Sequence, residues 1–175
     1  MTSTLGIDFA TLSLKDALDL AVLVEEEARE RYEELADQME MHHTPAAETF
    51  FRFMSQNEEK HRRQIASRRS ALFGDAPSAI RRAMIFDVEA PDYDEARAFM
   101  TPRDALHAAL RSEEKAHAFF TAALPQITDA KARALFAELC DEELDHQRLV
   151  RHELAKLPPD STLRADDFAD EPVGL

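Results

Sequence analysis

Glu58-Glu59-Lys60-His61 and Glu143-Leu144-Asp145-His146 are two copies of Glu-x-x-His in one chain, and their reading decides the fold. In an α-helix, residues three apart lie on one face, about a turn from each other. Each motif can therefore offer a carboxylate and an imidazole to one metal ion. Two further glutamates, Glu25 and Glu113, sit in helical segments that precede the motifs. Four carboxylates and two imidazoles on four helices suffice for two adjacent ions.

The motifs belong to an internal repeat. Ser13-Leu14-Lys15-Asp16-Ala17-Leu18 matches Thr101-Pro102-Arg103-Asp104-Ala105-Leu106, and the same offset aligns Ala21 with Ala109, Glu25 with Glu113, Ala28 with Ala116 and Tyr32 with Phe120. Each copy opens on a hydroxyl residue with an acid three residues later, the pattern of a helix N-cap with negative charge in its first turn. Pro102 falls at a first helical position, where it has no N–H to lose. A slightly different offset aligns Ala47 with Ala132, Phe51 with Phe136, Glu58 with Glu143 and His61 with His146. The pattern is helix with Glu, helix with Glu-x-x-His, a connection, then the same again.

Composition agrees with an all-α chain. Among 175 residues there are three Gly and no Trp, and Ala, Leu, Glu and Arg, strong helix formers, are frequent. The formal charge of −14 argues against non-specific nucleic-acid binding, which needs neutralising Lys and Arg. Cys140 is the single cysteine, so neither an internal disulfide nor a four-cysteine metal module can form from these residues. No secretory h-region opens the chain and no apolar run is long enough to span a bilayer. A cytoplasmic, reducing location with no membrane contact is the expectation.

Periodicity predicts four helices: Ser13 to Met39, Thr44–Pro45 to Gly74, Thr101 to Leu124, and Asp129 to Lys156. The first carries an apolar stripe of Leu14, Ala17, Leu18, Ala21, Val24, Ala28, Tyr32, Leu35 and Met39, and Glu25 falls within it. Phe50, Phe51, Met54, Glu58, His61 and Ile65 share the inner face of the second. The expected architecture is a bundle of two related hairpins over residues 1–157. Residues 75–100 form a long crossover, with a short helix from Ala79 to Phe86, and residues 158–175 an acidic, Pro-containing tail. A connection of that length has a geometric purpose if it must run the length of the bundle.

Glu58 and His61 are expected to bind one ion, and Glu143 and His146 the other. The motif glutamates bridge the pair, while Glu25 and Glu113 are terminal. Mixed carboxylate and imidazole ligands suit iron or manganese, and two such ions can reduce dioxygen or peroxide. Burying four carboxylates without a cation costs several kcal/mol per ion, by order of magnitude. Arg29 and Arg62 lie four residues after Glu25 and Glu58 and are placed to reach back to them. Glu113 and Glu143 have no Lys or Arg three or four residues away. Glu26, Glu27, Glu59, Glu114 and Glu142 read as solvated neighbours. Phe50, Phe51, Phe53, Phe119, Phe120 and Phe136 read as core, and Cys140 as a small buried hydrophobe. Tyr32 is either a core residue with a satisfied hydroxyl or a hydrogen-bond donor to a ligand carboxylate.

The stretches Glu25-Glu26-Glu27-Ala28-Arg29-Glu30-Arg31-Tyr32, Glu58-Glu59-Lys60-His61, Glu113-Glu114-Lys115-Ala116 and Glu143-Leu144-Asp145-His146 resemble the ferritin-like superfamily, and within it the rubrerythrin-like branch. The resemblance spans roughly residues 13–155. It implies a four-helix bundle whose two iron ions react with O₂ or H₂O₂, in a protein that dimerises with itself. Two departures stand out. Typical rubrerythrins add a four-cysteine rubredoxin domain that delivers electrons, which one cysteine cannot build, so the donor is expected to be external. They also carry an extra carboxylate one turn after the third-helix ligand, where this chain has Ala116. Iron oxidation and peroxide detoxification lead the functional reading. An iron-binding or storage protein, a manganese catalase-like enzyme and a metal-free helical interaction module are the alternatives.

Overall fold

The computed structural model describes residues 6–85, 88 and 101–158. It is an all-α bundle of four helices: α1 (Leu14–Met41), α2 (Pro45–Phe73), α3 (Pro102–Ala123) and α4 (Ala130–Lys156). The described residues contain no strand. Nor do they contain a helix long and apolar enough to cross a membrane.

The cap signals of the repeat act where the sequence places them. Ser13 accepts a hydrogen bond from the Asp16 amide. Thr101 and Asp104 form a reciprocal capping box ahead of Pro102. Asp129 caps α4 through the Lys131 and Ala132 amides, satisfying donors that the first turn leaves orphaned. Helix α2 differs. Thr44 makes no side-chain cap and instead donates its hydroxyl to the Met39 carbonyl at 2.9 Å, tying the turn to the end of α1. Gly74, at φ 55°, ends α2 in a backbone conformation that side-chain-bearing residues rarely adopt.

Helix α1 packs chiefly on α2, and α3 on α4, with α1 also meeting α4 and α3. Two apolar clusters fill the interior. One joins the beginning of α1 (Leu14 to Val24), the end of α2 (Ile65), the end of α3 (Ala116 to Ala123) and the beginning of α4 (Ala132 to Cys140). The other joins the end of α1 (Tyr32 to Met39), the beginning of α2 (Ala47 to Met54), the beginning of α3 (Ala105 to Ala109) and Val150 near the end of α4. Helices α1 and α4 therefore run one way, and α2 and α3 the other. The end of α2 and the start of α3 lie at opposite ends of the bundle, so the segment between them joins those ends, as the repeat predicts for stacked hairpins.

Two local expectations need adjustment. The short helix expected from Ala79 to Phe86 is, in the described part, only a 3₁₀ turn at Arg82–Met84; Phe86 lies outside the described residues. That turn is held by Arg82, which pairs with Glu27 and Glu30 of α1, and by Ile85 and Val88 buried in the first apolar cluster. Phe53 is not core: it is 45 % exposed, because its position on α2 lies off the face shared by Phe51, Met54 and Glu58. Residues 89–100 of the crossover and 159–175 of the tail are outside the described residues.

Candidate metal centre

The two apolar clusters leave a gap, and the sequence fills it with charge. On every helix the candidate ligands fall between the two sets of apolar residues: Glu25 on α1, Glu58 and His61 on α2, Glu113 on α3, Glu143 and His146 on α4. The four glutamates and His146 are buried, Glu113 completely; His61 is partly exposed.

The six side chains converge. The imidazoles of His61 and His146 stack with centroids 5.4 Å apart and planes 8° from parallel. Nδ1 of His146 lies 3.2 Å from Glu58 Oε1 and 3.4 Å from Glu113 Oε2, and Nδ1 of His61 lies 3.9 Å from Glu25 Oε2. Ligand atoms come within 4.8 Å of one another in three groups: Glu58 with His61 and His146, Glu25 with His61 and Glu142, and Glu113 with Glu143 and His146. Glu58 is thus grouped with both imidazoles, whereas Glu143, the other motif glutamate, is grouped with His146 alone.

Tyr32 takes the second of its two expected roles. It is buried in the bundle, and its hydroxyl donates to Glu113 Oε1. Burial and the negative charges of Glu113 and Glu58 hold the phenol well above its ordinary pKa, so it remains a donor. Gln147 adds a hydrogen bond to the Glu113 carbonyl at 3.3 Å. The arginines do not reach the ligands as the helical spacing allows. Arg29 pairs with Glu33 at 2.8 Å and with Glu59 at 3.8 Å. Arg62 pairs with Glu59 at 2.7 Å. These contacts lie on the outer α1–α2 face, where Glu26, Glu33, Glu59, Lys60, Arg62 and Arg63 help line a charged groove that includes none of the six candidates.

The electrostatics of the centre are set by burial, by the imidazoles and, for Glu113, also by the charge of the buried Arg31. Burial pushes Glu25 up to about 7. Burial also acts upward on Glu113, but hydrogen bonding to His146 and the positive charge His146 can carry outweigh it and bring the group down to about 2. Burial, with the neighbouring His146 and Lys60, lowers His61 to about 4. Its imidazole is therefore neutral at pH 7, with a lone pair to give. Oε2 of Glu25 and Nδ1 of His61 are enclosed with no hydrogen-bond partner. Enclosed acceptors facing one another are costly unless a proton or a cation lies between them, and a divalent ion fits that oxygen- and imidazole-rich donor set.

Glu142 is the residue that sequence reading left in solvent and the structure turns inward. It is partly buried and grouped with Glu25 and His61. One signal could have found it: Glu142 stands four residues before His146, on the same helical face.

A helical bundle with a carboxylate–imidazole centre at its middle defines the class of ferritin-like proteins. Residues 16–154 match the rubrerythrin family, and the chain belongs to it. Its members typically hold two irons. An uncharacterized conserved protein from Magnetospirillum magnetotacticum MS-1, known from a crystal structure, superposes with a TM-score of 0.72 at 29% identity, over 86% of this chain and 99% of that one. No curated protein matches the chain.

Proposed function

We propose that this protein is a non-haem di-iron oxidoreductase that binds ferrous iron and reacts with O₂ or H₂O₂, in iron oxidation and peroxide detoxification. The observation that carries this reading is the convergence of Glu25, Glu58, His61, Glu113, Glu143 and His146 in a polar layer between two apolar clusters. Those six residues would hold the two ions, with Glu58 shared. Two ferrous ions held there would supply two electrons, which with two protons suffice to reduce one H₂O₂ to two waters.

The protein's own groups prepare the site. The neutral imidazole of His61 presents Nδ1 toward Glu25, and His146 presents Nδ1 toward Glu58 and Glu113. Tyr32 fixes the orientation of Glu113 by donating to one oxygen, which leaves the other directed at His146. The apolar clusters on either side exclude bulk water along the bundle axis. Cys140 is buried against Thr121, and the reading assigns the reductant for repeated cycles to another molecule. We place the protein in the cytoplasm as a homodimer, following its family resemblance and its lone reduced thiol.

The test is peroxide consumption by anaerobically iron-loaded protein. Two ferrous ions per chain and about one H₂O₂ consumed per site are expected, with sustained turnover only when a reductant is added. Many turnovers per site without donor would overturn this reading in favour of a manganese catalase-like disproportionation, which needs no external electrons. Metal analysis that finds no bound ion would exclude both.

A further inference from the structure

We infer that Glu142 is an additional ligand, completing the coordination of the ion held by Glu25 and His61. The inference rests on the two-ion reading above and adds a residue to it. A carboxylate oxygen of Glu142 lies within 4.8 Å of ligand atoms of both Glu25 and His61. Glu142 is partly buried rather than turned outward. Its helical neighbours at three and four residues are Glu138, Leu139, Asp145 and His146, so no Lys or Arg on its own helix draws it there.

An acidic side chain facing another carboxylate is repulsive unless something positive lies between them. The rest of the group is built for that. Glu25 is 4 % exposed, and its Oε2, aimed at His61, has no hydrogen-bond partner. The His61 Nδ1 is likewise enclosed and unpartnered. Three donor atoms from α1, α2 and α4 thus lie within reach of one ion, and His61 is the residue this group shares with the group of Glu58.

The assignment equalises the two positions. The Glu113 ion draws on one carboxylate from α3 and on Glu143 and His146 of α4. The Glu25 ion draws on one carboxylate from α1, His61 of α2 and Glu142 of α4. Internal repetition does not predict this: the residue of α2 that aligns with Glu142 is Asn57, which can offer no charge.

The experiment is a calorimetric titration of metal-free protein with cobaltous ion, a redox-quiet probe whose visible spectrum reports its ligands. Wild type, Glu142→Gln, Glu142→Asp and Asp141→Asn are compared, the last altering an exposed neighbour. Wild type and Asp141→Asn should take up two ions. Glu142→Gln should keep one ion at wild-type affinity and lose about tenfold or more at the other, with an altered visible spectrum for that ion alone. Glu142→Asp, which keeps the charge on a shorter arm, should fall between. Glu142→Gln titrating and absorbing like wild type would overturn the inference while leaving the two-ion site intact. Wild type that binds no ion would overturn both.

Discussion

The two halves of the candidate centre are equivalent in the repeat and unlike in the fold. Glu113, Glu143 and His146, from the α3–α4 hairpin, are all buried, and Glu113 is the most enclosed of the four carboxylates. Glu25 and Glu58 of the α1–α2 hairpin are also buried, but their imidazole partner His61 is partly exposed. One aligned pair differs between the halves. Tyr32 of α1 gives its hydroxyl to Glu113, across the bundle. Its counterpart on α3 is Phe120, fully buried and apolar, which has nothing to give to Glu25. Glu113 has that hydrogen bond, and against burial the hydrogen bond and charge of His146 lower its proton affinity. Glu25 has burial as its dominant influence, and its proton affinity rises. Duplicated hairpins thus carry one half tied by a hydrogen bond across the bundle and one without its counterpart.

The largest expected effect follows from the unequal reach of the histidines. His146 Nδ1 faces Glu58 and Glu113 together, whereas His61 Nδ1 faces Glu25. His146→Ala removes an imidazole from the anchored half and from the group containing Glu58. Bound iron should fall below about one ion per chain, while His61→Ala should retain about one, an order expected if removing a charged partner costs most where burial is deepest. Metal stoichiometry after anaerobic loading and desalting measures both. Equal losses would show that the halves are functionally the same despite their geometry; unchanged stoichiometry in both variants would sink the ligand assignment.

A smaller effect should attend the residue that breaks the symmetry. Tyr32→Phe leaves the ring that stacks on Phe51 at 6.1 Å and deletes only the donor to Glu113. Losing one hydrogen bond to a buried charged group costs about 1–3 kcal/mol, and losing a partner that orients a ligand costs about tenfold in metal affinity. The tighter of the two binding steps should weaken toward the looser one, read as convergence of the two dissociation constants in the cobalt titration. If the looser step weakens instead, the hydroxyl supports the other half.

Much of this was legible in the sequence. Helix positions followed from the 3.6-residue stripes and from Ser13, Thr101, Pro102 and Asp129, because caps and apolar faces are local signals. The stacking of hairpins followed from the repeat. What escaped was set by distance across the bundle. Glu142 reads as solvated on its own helix, and only the position of α1 and α2 shows that it faces Glu25 and His61. The choice between two roles for Tyr32 likewise depended on a partner 81 residues away. Arg29 and Arg62 had the spacing to reach the ligands, but Glu33 and Glu59 on the outer face compete for the same guanidinium groups.

A third comparison isolates what an arginine does to a buried acid in this fold. Asp19 and Glu25 stand six residues apart on α1, both buried, yet their proton affinities move in opposite directions. For both, burial acts upward. Around Asp19, hydrogen bonds from Arg69 at 2.7 Å and Lys15 at 2.8 Å outweigh it, and the pKa falls below the ordinary aspartate value; around Glu25 no basic residue does so, and it rises. Arg69 also donates to the carbonyls of Gly74 and Ala76, so this ion pair fastens the start of the crossover to α1. A carboxylate whose folded pKa is depressed stabilises the fold above its unfolded value, about 3.9, and that contribution is lost as pH falls through the lower folded value. Arg69→Met should therefore lower the urea midpoint at pH 7, and the gap from wild type should close as the pH drops below about 4. Its metal stoichiometry should stay at the wild-type value, since Arg69 touches none of the candidate ligands. A gap that persists unchanged at low pH would assign the effect of Arg69 to its two carbonyl contacts rather than to the charge of Asp19.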